Sequence, residues 1–385
     1  MNVDIAIIGA GLAGASLAAA LSGSRFSIAL VECRAPAPPA PGWDNRIYAI
    51  SPANQRFLDG IGVWGHLERS RITPVYDMEI HGDRGARLDF SAYGAGVSEL
   101  AWIVESGLMQ RELWETVKRQ PKLTLFCPAQ PQSLQFDADA ARLTLTGGRQ
   151  VSAKLVVAAD GVDSWVRQQA GIAAQVKPYG EMGVVANLGC QRPHHNKAFQ
   201  WFLGGSVLAY LPLAGDAVSI VWSAPDNVAR DLVDMTPEAL CEHVAAATRH
   251  RLGALHMLTP AAAFPLRLMR VARGIGRRVA LIGDAAHAIH PLSGHGINLG
   301  YRDAEVLARA LREIPDYRDI GLEAELRPFE RARAEEVLTL QTLTDSLNHL
   351  FRPHFGALAA LRNAGLNLTN QLPVVRNMLA RYALG

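Results

Sequence analysis

The chain lacks several features that mark large classes of protein. It has only four cysteines in 385 residues and no CxxC pair, which excludes a disulfide framework and a cysteine-based zinc site, so no bound metal is expected. Charged residues make up 19% of the chain and the net charge is +2, so no basic surface for nucleic acid is expected. No stretch reaches about 18 consecutive apolar residues, and we expect no membrane-spanning helix. No basic residue precedes the N-terminal apolar run, so this run does not match the pattern of a signal peptide. We therefore expect a cytoplasmic protein or one peripheral to the inner membrane.

Glycine and apolar residues, by contrast, are plentiful. Apolar residues make up 49% of the chain and there are 34 glycines, which suits a globular protein of two to three domain-equivalents. Buried strands and helices alternate at the start of the chain, and strands at hairpin spacing follow near its middle. This order predicts an α/β fold in which a Rossmann-like domain is interleaved with an antiparallel-sheet domain. The predicted ranges are 1–73, 101–180 and 274–345 for the first, 74–100 and 181–273 for the second, and a C-terminal helical tail at 346–385.

The first glycine cluster predicts a dinucleotide site. It follows a predicted strand, opens a helix, and consists of Gly9, Ala10, Gly11, Leu12, Ala13 and Gly14. Such glycines permit a tight turn and close approach of a pyrophosphate to the helix N-terminus. Glu32 ends the next strand, where an acid accepts hydrogen bonds from an adenosine ribose. This motif alone fits either FAD or NAD(P).

Two further clusters follow buried strands. Asp160-Gly161 begins a turn in which Ser164 is suited to cap a short helix. The third cluster runs from Gly283-Asp284 to Asp303, and Asp284 stands at the carboxyl end of its strand, where open α/β sheets bind ligands. The expected contacts of this cluster with a flat ligand come from Asp284, Pro291, Gly294, Gly296, Ile297 and Asn298.

Together, the three clusters in this order resemble the class A flavoprotein aromatic hydroxylases, and the stretch from His290 to Asp303 is similar to the signature of the ubiquinone-biosynthesis hydroxylases. The resemblance covers essentially the whole chain. It implies that FAD is the cofactor, and that Arg46 and Asp160 join the first and third clusters in binding it. His295 stands where the family pattern has glutamine.

The resemblance also implies a reaction. NAD(P)H, as a transient co-substrate, reduces the flavin, O2 adds to it, and an FAD C4a-hydroperoxide transfers one oxygen atom to an aromatic ring. The implied substrate is a polyprenyl phenol or quinol of ubiquinone biosynthesis. Another aromatic metabolite, a flavin-dependent reduction of a prenyl lipid and a catalytically silent lipid-binding protein are the alternatives. His295 and His290 are the candidate bases, because histidine titrates near neutral pH and a phenolate reacts faster than a phenol.

Two regions are expected to meet the substrate or a partner. Large apolar residues on the predicted antiparallel strands are candidates for the wall of the substrate pocket, namely Trp201, Phe202, Leu211, Pro212, Val221 and Trp222. The tail, residues 346–385, contains no acid and has apolar residues at helical spacing. It is predicted to close over the FAD domain, to lie on a membrane surface or to dock on partners of a biosynthetic complex.

Overall fold

The computed structural model describes residues 1–38, 42–290 and 296–351, together with Asn363 and Asn370. It confirms the predicted α/β fold with two large sheets. In chain order the strands are β1 (Asn2–Ile8), β2 (Ile28–Val31), β3 (Ile47–Ile50), β4 (Thr73–Val75), β5 (Asp77–His81), β6 (Arg87–Ser91), β7 (Ala101–Glu105), β8 (Leu123–Phe126), β9 (Pro131–Phe136), β10 (Ala141–Leu145), β11 (Gln150–Ala158), β12 (Ala174–Cys190), β13 (Lys197–Phe202), β14 (Val207–Leu213), β15 (Ala217–Pro225), β16 (Leu255–Met257), β17 (Ala262–Val271), β18 (Ile275–Gly276), β19 (Val279–Leu281) and β20 (His287–Ala288).

The helices connect and cover these strands. They are α1 (Leu12–Ala20), α2 (Pro52–Gly60), α3 (Ala92–Ala95), α4 (Ser106–Lys118), α5 (Trp165–Gln169), α6 (Asp226–Asp234), α7 (Pro237–Ala247), α8 (Gly296–Glu313) and α9 (Glu323–Phe351). Short 3-10 turns occupy Trp64–His66, Arg69–Arg71, Thr146–Gly148 and Gly283–Ala285.

The first large sheet, called here the FAD sheet, has the strand order β18-β19-β11-β1-β2-β8, with β9 and β10 joined beyond β11. The run from β19 to β8 is parallel. Its central strands are β-branched and apolar because both faces are covered, one by α1, α4 and α8 and the other by β9, β10 and α5. The carboxyl ends of β1, β2, β11 and β19 therefore meet at one edge, and each is followed by a predicted ligand-binding residue.

The second large sheet, called here the substrate sheet, has the order β20-β17-β12-β15-β14-β13-β5-β6, with β16 beside β12. It is mostly antiparallel, as predicted from the hairpin spacing. Two parts of it depart from the predicted ranges. β12 already begins at Ala174, and β20 comes from the segment after β19 and pairs with β17. The chain thus crosses from the FAD sheet to the substrate sheet within residues 282–287.

A small sheet of β3, β7 and β4 lies between the two large sheets. Ile47 and Ile103 on this sheet pack against Ala198, Leu213 and Ala217 of the substrate sheet. The small sheet therefore sets the position of the substrate sheet relative to the cofactor motifs.

Two residues of the tail that the structure describes beyond Phe351, Asn363 and Asn370, contact the substrate sheet. The Asn363 side chain donates to Asp83 Oδ1 at 2.7 Å, and Asn370 Oδ1 accepts from the backbone nitrogen of Asp89 at 3.0 Å. At these two points the tail lies against the edge strand β6 and the turn before it, and Asn370 bonds to a backbone group of that edge. The predictions for the rest of residues 352–385 fall outside the described residues. Within the described ranges, no helix combines the length and apolarity needed to cross a bilayer.

Candidate functional site

The first glycine cluster forms an open cradle between β1 and α1. Gly9 has φ +99°, and a Cβ there would lie 2.3 Å from the Ala159 carbonyl oxygen. A Cβ on Gly14 would lie 2.0 Å from the Gly9 oxygen, so both positions require glycine. Gly11 has open space around its Cβ position, and α1 has neither a side-chain cap nor an acid in its first turn. The free amides of α1 are therefore available to a phosphate group.

Glu32 lies directly after β2, beside this cradle. Its Oε2 accepts from the Ala10 nitrogen at 2.7 Å and its Oε1 from the Arg34 nitrogen at 3.1 Å. These bonds hold the carboxylate at the sheet edge, 18 positions after Gly14 in the sequence. This placement is that of an acid that binds an adenosine ribose in a Rossmann-like domain.

The second cluster forms the turn between β11 and α5. Ser164 caps α5 by accepting from the Arg167 nitrogen, and Asp160 Oδ2 accepts from the Val166 nitrogen at 3.0 Å. The other oxygen, Oδ1, is buried and has no hydrogen-bond partner among the described residues. The buried guanidinium of Arg167 donates to the Ala285 carbonyl at 2.9 Å. The second cluster therefore supports the third, and the contact of Asp160 with a cofactor stays a prediction.

The third cluster places Asp284 in a recess at the end of β19. Gly283, at φ +57°, packs against Ala13 and lies 3.5 Å from the position of a Gly300 Cβ. The first and third clusters are therefore in direct contact. Asp284 is exposed, but surrounding protein raises the pKa of its carboxyl, and the nearby His287 opposes part of this rise. A carboxylate in such a recess suits the hydroxyls of a polyol chain.

The remaining predicted contacts differ in what they offer. Gly296 and Ile297 form the first turn of α8, which has no acid in it. The side chain of Asn298 is occupied, because its Oδ1 accepts from the Ser51 nitrogen at 3.0 Å and its Nδ2 donates to the Ala49 oxygen at 2.8 Å. The contact of Asn298 with a ligand, expected through the amides at the start of α8, stays a prediction. Pro291, Gly294 and His295 lie outside the described residues.

Arg46, directly before β3, and Tyr48, in β3, lie beside the third cluster. Arg46 is exposed, and its backbone is held by Asp44 and Ser106. Tyr48 was not predicted as a site residue. Burial, and secondly the charge of Asp284, raise the pKa of Tyr48, which places the ring near the third cluster. Alternation along a strand puts residues i and i+2 on one face, so Arg46 was the signal that would have identified Tyr48.

His290 is buried against β12 of the substrate sheet. Its Nε2 lies 3.1 Å from Glu181 Oε2, and its ring meets Tyr179 edge-on at a centroid distance of 4.9 Å. Glu181 belongs to an irregularity of β12, where the pairing with β17 shifts between Pro178 and Met182. The geometry therefore gives His290 a tether to the substrate sheet, and its role as a base stays a prediction.

The substrate sheet has two different faces. One face, called here the outer face, packs on α6 and α7 and includes Trp201, Tyr210 and Trp222. The opposite face, called here the inner face, turns toward β3 and β7 and includes Leu211 and Leu213. The alternation of the strands places the predicted wall residues Phe202, Leu211 and Val221 on the inner face. The structure corrects the prediction for Trp201, Trp222 and Pro212, which lie on the outer face because the helices there need large apolar partners.

The inner face carries mainly small side chains. Across the sheet, Gln200 pairs with Ala209, Ala209 with Val221, and Val221 with Val185. In the next row Gly183 is covered by the ring of Phe264, whose Cζ would lie 2.8 Å from a Cβ at that glycine. Small residues with one amide and one ring nearby provide room for a flat apolar molecule with a polar substituent.

Comparison with known proteins agrees with this geometry. The family model described as an FAD binding domain matches residues 2–334. Ubiquinone hydroxylase UbiL of Rhodospirillum rubrum is 32% identical over 386 residues, covering 99% of this chain and 89% of that protein. The 3-demethoxyubiquinol 3-hydroxylase of Escherichia coli is 32% identical over 385 residues, covering 99% and 98% of the two chains.

A solved structure shows the same fold. The p-nitrophenol 4-monooxygenase PnpA of Pseudomonas putida superimposes with a TM-score of 0.80 at 18% sequence identity, covering 100% of this chain and 98% of that one. The family match extends over most of the chain and includes all three glycine clusters, with their acids Glu32, Asp160 and Asp284. The chain therefore belongs to the FAD-binding family of class A aromatic hydroxylases and is an FAD-dependent monooxygenase.

Proposed function

We propose that this protein uses NAD(P)H and O2 to hydroxylate the aromatic ring of a polyprenyl phenol or quinol in ubiquinone biosynthesis. The observation that carries the proposal is the meeting of three glycine clusters and their acids at one sheet edge, next to a small, mostly apolar inner face. The two relatives named as ubiquinone-pathway hydroxylases, each 32% identical to this chain, support the choice of ring.

The residues at the edge of the FAD sheet fit FAD. The α1 amides would hold the phosphates, Glu32 the adenosine ribose and Asp284 the ribityl hydroxyls, with Asp160, Arg46 and the first turn of α8 around them. When bound, FAD supplies the redox chemistry between NAD(P)H, O2 and the ring. The reaction balances as ArH + O2 + NAD(P)H + H⁺ giving ArOH + H2O + NAD(P)⁺.

The inner face would hold the ring. Val221 and Ala209 leave space for a flat molecule, and the Gln200 amide can bind a ring oxygen. An apolar enclosure also keeps water from the oxygen-transfer step, which prevents loss of the oxidising equivalent. Because His295 follows the tether His290 in sequence, we propose it as the base that assists a phenol. His295→Gln should leave FAD bound and change turnover or its pH profile, and loss of FAD would contradict this role.

The organisation of the chain fits a substrate with a lipid tail. We propose that the FAD sheet and the substrate sheet are the cores of two interleaved domains with the ranges predicted from the sequence, except that the start of β12 and β20 belong to the substrate sheet. We further propose that the protein works at the surface of the inner membrane or in a biosynthetic complex, with the basic tail as the contact. A polyprenyl chain partitions into the bilayer, so the ring would have to be taken from its surface.

The test is expression in an Escherichia coli strain that lacks its 3-demethoxyubiquinol 3-hydroxylase, followed by mass spectrometry of the quinones. We expect ubiquinone to be restored, with one ¹⁸O atom in the product when the cells grow under ¹⁸O2. Asp284→Ala should abolish the rescue. Asp89→Ala, at the distant edge strand β6, is the matched control and should retain it.

Three outcomes distinguish the proposed function from its alternatives. A hydroxylated quinone intermediate that accumulates would support the proposal and identify the ring position. A purified, FAD-loaded protein that hydroxylates only a non-prenylated phenol would contradict the substrate. A reduced product without oxygen uptake would contradict the reaction.

A further inference from the structure

A buried charge network supports the turn that carries Asp284. Asp303, in α8, accepts three hydrogen bonds: its Oδ2 from the Gly283 nitrogen at 2.8 Å and from His287 Nε2 at 2.6 Å, and its Oδ1 from Arg333 Nε at 2.7 Å. All three side chains of the network are nearly inaccessible, with 1% exposure for Asp303, 4% for Arg333 and 6% for His287. Gly283 and His287, which both bond to Asp303, stand on either side of Asp284 in the segment from Gly283 to Ala288.

The third donor to Asp303, Arg333, lies outside the segment from Gly283 to Ala288 and belongs to α9. The Arg333 guanidinium also bonds to Glu336 and, at 3.4 Å, to the Leu299 carbonyl in α8. A planar guanidinium with several fixed donors holds a carboxylate in one orientation better than a flexible ammonium does. The orientation of Asp303, and through it the Gly283 turn, therefore depends on a residue of α9.

The same helix makes a second contact with this segment. Gln341 lies two i to i+4 steps after Arg333, on the same stripe of α9. Its Nε2 donates to the Met269 carbonyl at 2.9 Å and to the Ala288 carbonyl at 3.4 Å, at the place where β17 pairs with β20. Gln341 is 3% exposed, so these bonds are shielded from water. Helix α9 is thus connected to both ends of the segment from Gly283 to Ala288, to Gly283 through Asp303 and to Ala288 through Gln341.

We propose that α9 is a brace for the flavin-binding turn, in which Arg333, Asp303 and Gln341 are positioning residues that hold Asp284 in its ligand-binding place. The inference rests on the proposed function insofar as Asp284 is taken to contact FAD. It goes further because it makes cofactor affinity depend on a helix that lies mostly outside the three glycine clusters and their strands.

The chain contains a matched control for Arg333. Arg278 directly precedes β19, whereas the Gly283 turn follows it, so the two buried arginines act at opposite ends of one strand. Arg278 is 1% exposed and bonds to Asp319, to the Ala138 carbonyl and to the Lys154 carbonyl. Loss of either arginine removes a buried ion pair, but only Arg333 is connected to the Asp284 turn.

The experiment titrates FAD into each purified apoprotein, follows flavin fluorescence, and measures the melting temperature of the apoprotein by circular dichroism. We expect Arg333→Met to raise the Kd for FAD at least tenfold, about 1.4 kcal/mol, and Arg333→Lys to restore part of the affinity. Arg278→Met should lower the melting temperature and leave the Kd within twofold of the wild type. Gln341→Ala should raise the Kd several-fold, and it provides the test if Arg333→Met does not fold.

The outcomes separate the brace from the site assignment. An unchanged Kd in Arg333→Met and Gln341→Ala overturns the brace, as does an equal rise in Kd for Arg278→Met, since general destabilisation would then be the cause. Asp284→Ala should weaken FAD binding by itself. If it does not, the placement of FAD in the proposed function fails, and the brace fails with it. If it does while Arg333→Met binds normally, the brace alone fails.

Discussion

The two large sheets carry their functional residues in different ways. In the FAD sheet they stand at one edge, each within two residues of the end of a strand: Gly9 after β1, Asp160 after β11 and Gly283 after β19. In the substrate sheet the functional residues lie on one face, and each of several strands contributes one or two of them. An edge site is therefore built from short continuous segments, whereas a face site is built from alternate residues of separate strands. Substitutions at the edge should act through single steric contacts, and those on the face through graded changes of shape.

The largest effect on cofactor binding is expected at Gly11, on the edge. Its Cβ position is open and its φ is −65°, so Gly11→Val should fold without strain. The added side chain would occupy the space that we assign to the pyrophosphate. We expect the Kd for FAD to rise at least about 100-fold, which is about 2.8 kcal/mol, with little change in the melting temperature of the apoprotein. Fluorescence titration and circular dichroism measure the two quantities.

Gly65→Val is the control for this change, because Gly65 also has open space around it but lies in a 3-10 turn outside the three glycine clusters. It should bind FAD normally. Wild-type affinity in Gly11→Val would show that phosphate does not approach α1 at this glycine.

The next effect separates the two faces of the substrate sheet. Trp222, on the outer face, is 4% exposed and packs with α6 and α7. Trp222→Ala should reduce the free energy of unfolding by about 3–5 kcal/mol, the usual cost of removing a buried aromatic side chain. Urea denaturation measures this loss. The KM of the remaining folded enzyme should stay close to that of the wild type, and a large rise in KM would place Trp222 at the substrate.

Val221, the neighbouring residue on the same strand, should behave in the opposite way. It is partly exposed on the inner face, so Val221→Phe adds bulk to the surface that we assign to the aromatic ring. We expect KM to rise about tenfold, equivalent to about 1.4 kcal/mol, while the melting temperature changes little. If steady-state kinetics with the prenylated substrate show no change, the ring lies elsewhere.

This contrast explains what could be predicted from the sequence. The edge site could be predicted from the sequence because Gly9 to Gly14, Asp160 and Asp284 stand in short segments whose spacing indicates cofactor binding. The residues of the inner face could not be predicted, because Trp222 and Val221 look equally suitable for a pocket wall until the helices on one side of the sheet are known. α6, one of those helices, was missed because its nine residues are fewer than a helical period needs to stand out, although its apolar residues fall on one face.

The charge networks were hidden for a related reason. Arg333 stands among other charged residues in α9, a context that usually indicates a solvent-exposed helix face. Its burial depends on where Asp303 and the Gly283 turn lie in three dimensions. The bonds of the Asn298 side chain were hidden in the same way, because its partners Ser51 and Ala49 are far from it in sequence.

The smallest effect is expected where the two sheets meet, at His287 on β20. Burial alone would lower the pKa of His287, but the carboxylate of Asp303 outweighs it and raises the pKa. The folded state therefore binds the proton more tightly than the unfolded state, so this group stabilises the protein fully below its unfolded pKa of about 6.5. That contribution is lost as the pH rises through the higher folded pKa. Urea denaturation from acidic to alkaline pH should show stability falling over this interval in the wild type and a weaker fall in His287→Gln. Because the pair joins β20 to α8, equal slopes in the two proteins would mean that the junction between the sheets does not depend on the charge of His287.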